Sequence, residues 1–408
     1  MSSPPTDRRG AVAVFALAFA VRALVVPRWG LLSHARGLRR AFDGHERAYL
    51  RAFQGEGLAD ASPAFQPVLG ALYAALGSIV AHPGALVVFS AAVGAAAAVG
   101  VATWTGRRFG VGAGRWAGLL VALLPEHAAW STSAYPVILP HALLVGAFVA
   151  RRSGFAALCA FAAAALRPEL AALALLRGAP GLAGLAGAAV WLAMAGSAPI
   201  DGSLAHLTTV LRVNLSLVGF LGPAVLGLAA LGLVDRRAWP IAGAVALNHA
   251  LAAGFDDQGA RHVLFGAVGL CALAGVAAAR WGWAIGGVVA VGLAVQTRDL
   301  AQVWATPADL RPLAASLPPP SPGCLVVTDE PVLSGQEEPS HLLLWSAPPP
   351  PDACVLWGEE GAHRAWSSRG LRDRARRMRA HYDPVPTAAA PVPGGWRVYH
   401  RLTLPRTR

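Results

Sequence analysis

Lysine is absent from this chain: all 34 basic side chains are arginine, and charged residues of both signs fill only 14% of its 408 positions. Soluble domains usually carry about 25% charged residues, so a chain this poor in charge is not one or two ordinary soluble domains. Without lysine there is no Gly-rich phosphate loop ending in Lys-Ser/Thr, and the four cysteines include no Cys-x-x-Cys pair, which removes the common zinc frameworks. The stretch "HERAY" at 45–49 also lacks the second histidine of a zinc-protease helix. The sequence therefore argues for no metal centre and leaves a catalytic divalent ion open. It supplies no evident cytoplasmic domain to bind a nucleotide sugar. The net charge of +12 reads partly as a compositional habit that also yields 45 Gly and 31 Pro, and carries little weight as a nucleic-acid signal.

What remains is apolar. With 55% hydrophobic residues and a mean hydropathy of +0.50, the expected fold is a polytopic α-helical membrane protein. The first run, Ala11 to Pro27, follows a basic start and contains Arg22 near its far end, which favours an uncleaved anchor over a signal peptide. Later runs lie near 84–106, 116–133, 137–150, 154–166, 168–177, 180–198, 218–234, 239–254, 262–279 and 281–296, giving about 11 crossings. Residues 65–81, "FQPVLGALYAALGSIVA", are interrupted and amphipathic, more like a helix lying along the membrane surface. Runs 154–166 and 168–177 are too short for two standard spans of ~20 residues. They are either two short helices meeting part-way through the membrane or one helix broken at Pro168, and the first alternative keeps all the arginine clusters on one side. Those clusters, Arg8-Arg9, Arg107-Arg108 with Arg115, Arg151-Arg152, Arg177, Arg236-Arg237 and Arg280, recur at run ends and orient the chain with those ends in the cytoplasm.

Residues 1–296 thus form the expected membrane domain, with a first external loop at 28–83. Residues 297–408 are Pro-rich and charged, and should form a small extracytoplasmic α/β domain. Its strand candidates are "CLVVTDEP", "DACVLWG" and "GWRVYHRL", with a helix over 362–382 that carries "RDRARRMR". Cys159 and Cys271 sit in apolar runs and read as core residues. Cys324 and Cys354 in the tail could form one disulfide if the tail is outside the membrane.

The charged island "FDGHERAYLRAF", 42–53, sets Asp43, Glu46 and Tyr49 at helical spacing directly after the first apolar run. Then come the Pro-led "PVLGALYAALG", a span, the basic turn "RRFGVGAGRWAGLLVALLP", the external turn "EHAAWSTSAYP", "LRPEL" and "ARHVLF". This order of features resembles the GT-C superfamily of integral-membrane glycosyltransferases, in particular the bacterial relatives of protein mannosyltransferases and the aminoarabinose transferase. The resemblance spans about residues 10–300 and rests on order rather than on any single motif.

The resemblance implies transfer of a sugar from a polyprenyl-phosphate donor to a glycan, lipid or protein acceptor, on the outer face of a bacterial cytoplasmic membrane. In that superfamily the first external loop carries an Asp-Glu pair with Tyr three residues after the Glu. Here Glu46 and Tyr49 match, His45 stands where the Asp is expected, and Asp43 lies one turn earlier. Displacement at an anomeric carbon needs a base for the acceptor's proton and cationic groups on the departing phosphate. Glu46 and Asp43 are the candidate catalytic bases; His45, Tyr49, Arg167, Arg261 and His262 are the candidate substrate-binding residues. Arginine suits the phosphate because its planar fork matches two oxygens. His127 and His141 read as structural. His45 and the lack of a second acid keep an inactive scaffold in envelope glycan assembly as the alternative. A secondary transporter would predict internal repeats and midplane charges, neither of which the sequence presents.

Overall fold

The computed structural model describes residues 8–28, 53, 55, 66–80, 84–132, 138–195, 223–253 and 260–305, together with 325–328, 341–342, 353–359, 383–384 and 397–401. The chain divides into two units, Met1–Gln302 and Val303–Arg408. The described residues of the first unit are helical: α1 (Arg8–Arg28), α2 (Gln66–Ile79), α3 (Gly84–Phe109), α4 (Val111–Leu123), α5 (Pro125–Trp130), α6 (Ile138–Val149), α7 (Ser153–Leu166), α8 (Leu170–Ala174), α9 (Ala183–Ala195), α10 (Pro223–Gly232), α11 (Trp239–Ala253), α12 (Ala260–Trp281) and α13 (Trp283–Ala305).

Proline and glycine set several of the breaks. A residue before proline is pushed out of the helical region. Arg167 (φ −147°, ψ 97°) accordingly ends α7 before Pro168, and Leu124 (φ −64°, ψ 117°) ends α4 before Pro125. Pro125 then opens α5, where its missing N–H costs nothing. Gly110, at φ +104°, makes the sharp turn between α3 and α4.

Small side chains let these helices approach closely. A Cβ on Gly114 of α4 would lie 2.7 Å from the Gly106 Cα of α3, and one on Gly275 of α12 would lie 2.6 Å from the Ala113 carbonyl oxygen of α4. Helix α4 is thus held between α3 and α12, with α1 across α3 and α4; α6 and α7 extend the packing on one side, and α10 and α11 on the other. Trp104 of α3 stacks on Phe148 of α6 at 4.6 Å. Cys159 and Cys271 are buried in this alanine-rich core.

The outward faces are apolar as well. Val288 (74% exposed) and Val291 (64%) on α13, Val12 (69%) on α1, and Phe155 and Leu158 on α7 all project from the packed body. Among the described residues one helix, α3, with 26 residues and an 18-residue stretch of mean hydropathy 2.2, is long and apolar enough to cross a membrane by length and composition.

The run at 168–177 is not a span of its own. It consists of the five residues of α8 followed by a 3-10 turn, Leu175–Arg177, too short for a ~30 Å hydrocarbon layer. Arg177 Nε and Nη2 donate to the Ala147 and Ala150 carbonyls at the carboxyl end of α6, both at 3.0 Å. Since α7 starts just beyond that end of α6, the chain has turned back, as two short helices do and one continuous helix does not. Arg107 joins them, donating to the Val149 carbonyl at 2.7 Å, so two carbonyls of the last turn of α6 and that of the following Ala150 are capped by arginine.

In the second unit the described residues are five short strands, β1 (Leu325–Thr328), β2 (His341–Leu342), β3 (Ala353–Glu359), β4 (Asp383–Pro384) and β5 (Arg397–Arg401), in the order β2-β1-β3-β5-β4. Strand β1 runs parallel to β2 and β3, whereas β5 is antiparallel to β3 and β4. The helix expected over 362–382 and Cys324 lie outside the described residues.

Candidate functional site

The island carboxylates Asp43 and Glu46, together with His45 and Tyr49, lie outside the described residues. Phe53 at its end is buried, with its carbonyl against Gly77 of α2. Arg261 and His262 fall in the first turn of α12. That turn can be located by register: Gly275 faces Ala113 and Ala117, and Gly112 faces Ala279, so α12 runs antiparallel to α4. The first turn of α12 is therefore at the end where α4 passes into α5, and α5 touches both α1 and α12. Arg167 arrives at the same end. Gly146 of α6 lies beside the Cys159 Sγ of α7, and this antiparallel pair brings the end of α7 level with Ile138 and His141. Arg167 and Glu169 flank Pro168, are 9% and 1% exposed, and are both engaged within the protein.

At this end the structure holds a buried polar chain that begins in α1. Arg22 is fully buried; its Nη1 donates to the Ala18 carbonyl at 2.7 Å, and its Nη2 donates to His127 Nδ1 at 2.6 Å. A guanidinium has only hydrogens to offer, so His127 Nδ1 must accept. The ring hydrogen of His127 is then on Nε2, which donates to His141 Nδ1 at 3.1 Å. The same logic puts the hydrogen of His141 on its Nε2 and leaves both imidazoles neutral, tautomers fixed by their partners. Ser131 donates to the His127 carbonyl, and Gly94 of α3 makes room for it: a Cβ there would collide with the Ser131 side chain and lie 3.0 Å from Arg22 Nε.

The electrostatic consequence is one-sided. No carboxylate among the described residues pairs with Arg22, and its Nε has no hydrogen-bond partner among them. Buried cations are normally neutralised or placed beside a functional path. Asn248 of α11 adds a second unmet demand: it is fully buried, and neither its Oδ1 nor its Nδ2 finds a partner among the described residues. The next residue, His249, donates Nδ1–H to the Val245 carbonyl at 2.8 Å and packs on Gly266 of α12. Helix α8 touches α11, which links the Arg167 junction to this pair of helices. Among the described residues, the end of the bundle that collects Arg22, the two histidines, the Arg167 junction and the start of α12 sets two buried arginines against the single carboxylate of Glu169, and is rich in polar donors within apolar walls.

Sequence reasoning had Arg22 only as a sign of an uncleaved anchor, and read His127 and His141 as separate structural residues. The available signal was Arg22 itself, since an arginine inside an apolar helix must turn inward and find partners. No family model, curated protein or solved structure matches this chain.

Proposed function

We propose that this protein is a multi-pass membrane glycosyltransferase of the GT-C type, moving a sugar from a polyprenyl-phosphate donor to an envelope acceptor on the extracytoplasmic face of a bacterial cytoplasmic membrane. The observation that carries this reading is the buried cation Arg22, which has no carboxylate partner among the described residues, at the bundle end that also receives Arg167 and the turn bearing Arg261-His262. A positive field held in low dielectric favours an anion, and the donor's phosphate is one. The apolar exterior of α1, α7 and α13 supports a lipid surround, because such a surface is unusual on a soluble protein. Arginines capping α6 at the opposite end support the orientation with that end in the cytoplasm.

In this proposal the acceptor hydroxyl attacks the anomeric carbon as Glu46 or Asp43 takes its proton. The C–O bond to the phosphate breaks on the opposite face, and the polyprenyl phosphate leaves as an anion beside Arg167 and Arg261. His45, Tyr49 and His262 line the substrates. No general acid is needed for so good a leaving group. A polytopic unit with about 11 membrane-crossing segments, the short returning pair α7 and α8 counted as two, followed by a small external α/β domain completes the architecture.

The test is a lipid analysis of cells with and without the protein. Loss of the protein should cause one polyprenyl-phosphate sugar to accumulate and one envelope glycan to lose a residue; an unchanged lipid-linked pool would reject the transferase. His45, in the place of an expected acid, favours a second reading as an inactive scaffold. That reading predicts loss of the glycan with no transfer by the purified protein.

A further inference from the structure

The opposite end of the bundle holds a second cationic feature, which the proposed transfer does not use. A pocket of about 340 Å³ opens where the end of α3, the start of α4, the α10–α11 turn and the end of α12 meet, lined among others by Phe109, Ala113, Asp235, Arg237, Ala277 and Arg280. Its volume falls within the ~300–1,000 Å³ of ordinary small-molecule sites.

One of its arginines is held in place. Arg237 donates from Nε and Nη2 to the Asp235 carboxylate, with Nη2–Oδ2 at 2.7 Å, and its guanidinium lies over the Phe109 ring at 5.6 Å. Carboxylate and ring together fix the guanidinium plane and leave its Nη1 edge without a hydrogen-bond partner among the described residues. Arg280 lies over Trp281 at 6.0 Å and has no hydrogen bond or ion pair among the described residues. Two guanidiniums against one carboxylate leave the pocket net positive. Trp239 and Trp281, exposed at this level, are of the type that anchors at a bilayer surface.

We infer that this pocket binds a phosphate-bearing anion, with Arg237 and Arg280 as the two forks and Asp235 as the residue that aims Arg237. Either an acidic phospholipid headgroup or a soluble phosphate ester would present this chemistry. The lipid source depends on the membrane reading given above; the pocket itself lies away from the proposed transfer site.

The experiment is native mass spectrometry of the full chain released from micelles doped with phosphatidylglycerol or phosphatidylcholine, repeated with inorganic phosphate as competitor. Wild type should retain phosphatidylglycerol over phosphatidylcholine, and Arg280→Gln and Arg237→Gln should each lower that retention about five-fold, the scale of one arginine at an anionic surface. Arg152→Gln, an exposed arginine outside the pocket, should leave it unchanged. Arg280→Gln breaks no hydrogen bond or ion pair among the described residues and removes only the Trp281 ring contact and a weak attraction to Asp235, so an unaltered melting temperature will certify its fold. Competition by millimolar phosphate supports a site open to either source, and resistance to it supports the headgroup. Equal retention in wild type and Arg280→Gln, with no phosphate-dependent protection of wild type, would overturn the assignment. Because Arg280→Gln should retain sugar transfer, failure of the pocket and failure of the transferase are separable.

Discussion

Removing His127 should harm this protein more than removing the charge that His127 serves. In His127→Leu, Arg22 Nη2 loses its 2.6 Å acceptor and His141 Nδ1 loses its 3.1 Å donor, while the guanidinium stays fully buried. His127 is neutral and Arg22 keeps the Ala18 carbonyl, so the loss is that of a hydrogen bond to a buried charge, about 1.5–3 kcal/mol, to which the orphaned His141 acceptor adds about 1–3 kcal/mol. In Arg22→Met the charge itself is gone; what is left is an unpaired His127 Nδ1, a cost of about 1–3 kcal/mol that Ser131 Oγ, 3.4 Å away, can partly meet. The double variant has neither the stranded charge nor the stranded His127 acceptor, so it should recover about 2 kcal/mol relative to His127→Leu alone. The assay is reversible unfolding in mixed micelles, with all four proteins compared at one detergent ratio. Additive losses, or a double variant less stable than His127→Leu, would refute the directed chain and its tautomers.

Other outcomes follow from the same geometry. Gly94→Ala should destabilise by about 1–3 kcal/mol, because the new Cβ must displace the Ser131 side chain; thermal melts check this. The Asp235 carboxyl is held below its ordinary value, chiefly by the side-chain hydrogen bonds from Arg237. Its small, solvent-screened contribution is therefore present above the unfolded carboxyl's value of about 4 and lost as pH falls through the lower folded value, so the stability gap between wild type and Asp235→Asn should close on acidification. Reporter fusions after residues 115, 152 and 237 should read cytoplasmic and a fusion after 300 external; any reversal among them would put the transfer site on the wrong face.

The parts of the fold that were legible are those governed by local backbone chemistry. Pro168 marked the end of α7, because the clash with the preceding residue acts within the chain; the same clash at Pro125 splits the expected run 116–133 into α4 and α5, a break that the apolar run itself concealed. The reversal after Arg167 was legible only as an alternative, since what decides it is Arg177 reaching carbonyls about 30 positions earlier in sequence. Arg22, His127 and His141 stand too far apart along the chain for any local pattern to join them, and the close approach permitted by Gly94 resembles any other small residue in an alanine-rich helix. Arg167 could be picked out from its neighbour Pro168, but the burial of Glu169 beside it could not.

The central claim is transfer itself, and purified full-length protein in liposomes tests it most directly. Wild type supplied with labelled polyprenyl-phosphate sugars and an envelope extract should move label from one donor to an acceptor. Glu46→Gln or Asp43→Asn should cut that transfer by about 10²-fold or more, as loss of a general base does, with donor binding retained. Arg261→Lys should instead weaken donor use, since it keeps the charge and loses the planar fork. Absence of transfer from every donor supplied, or full transfer by the variant lacking both carboxylates, would contradict the account.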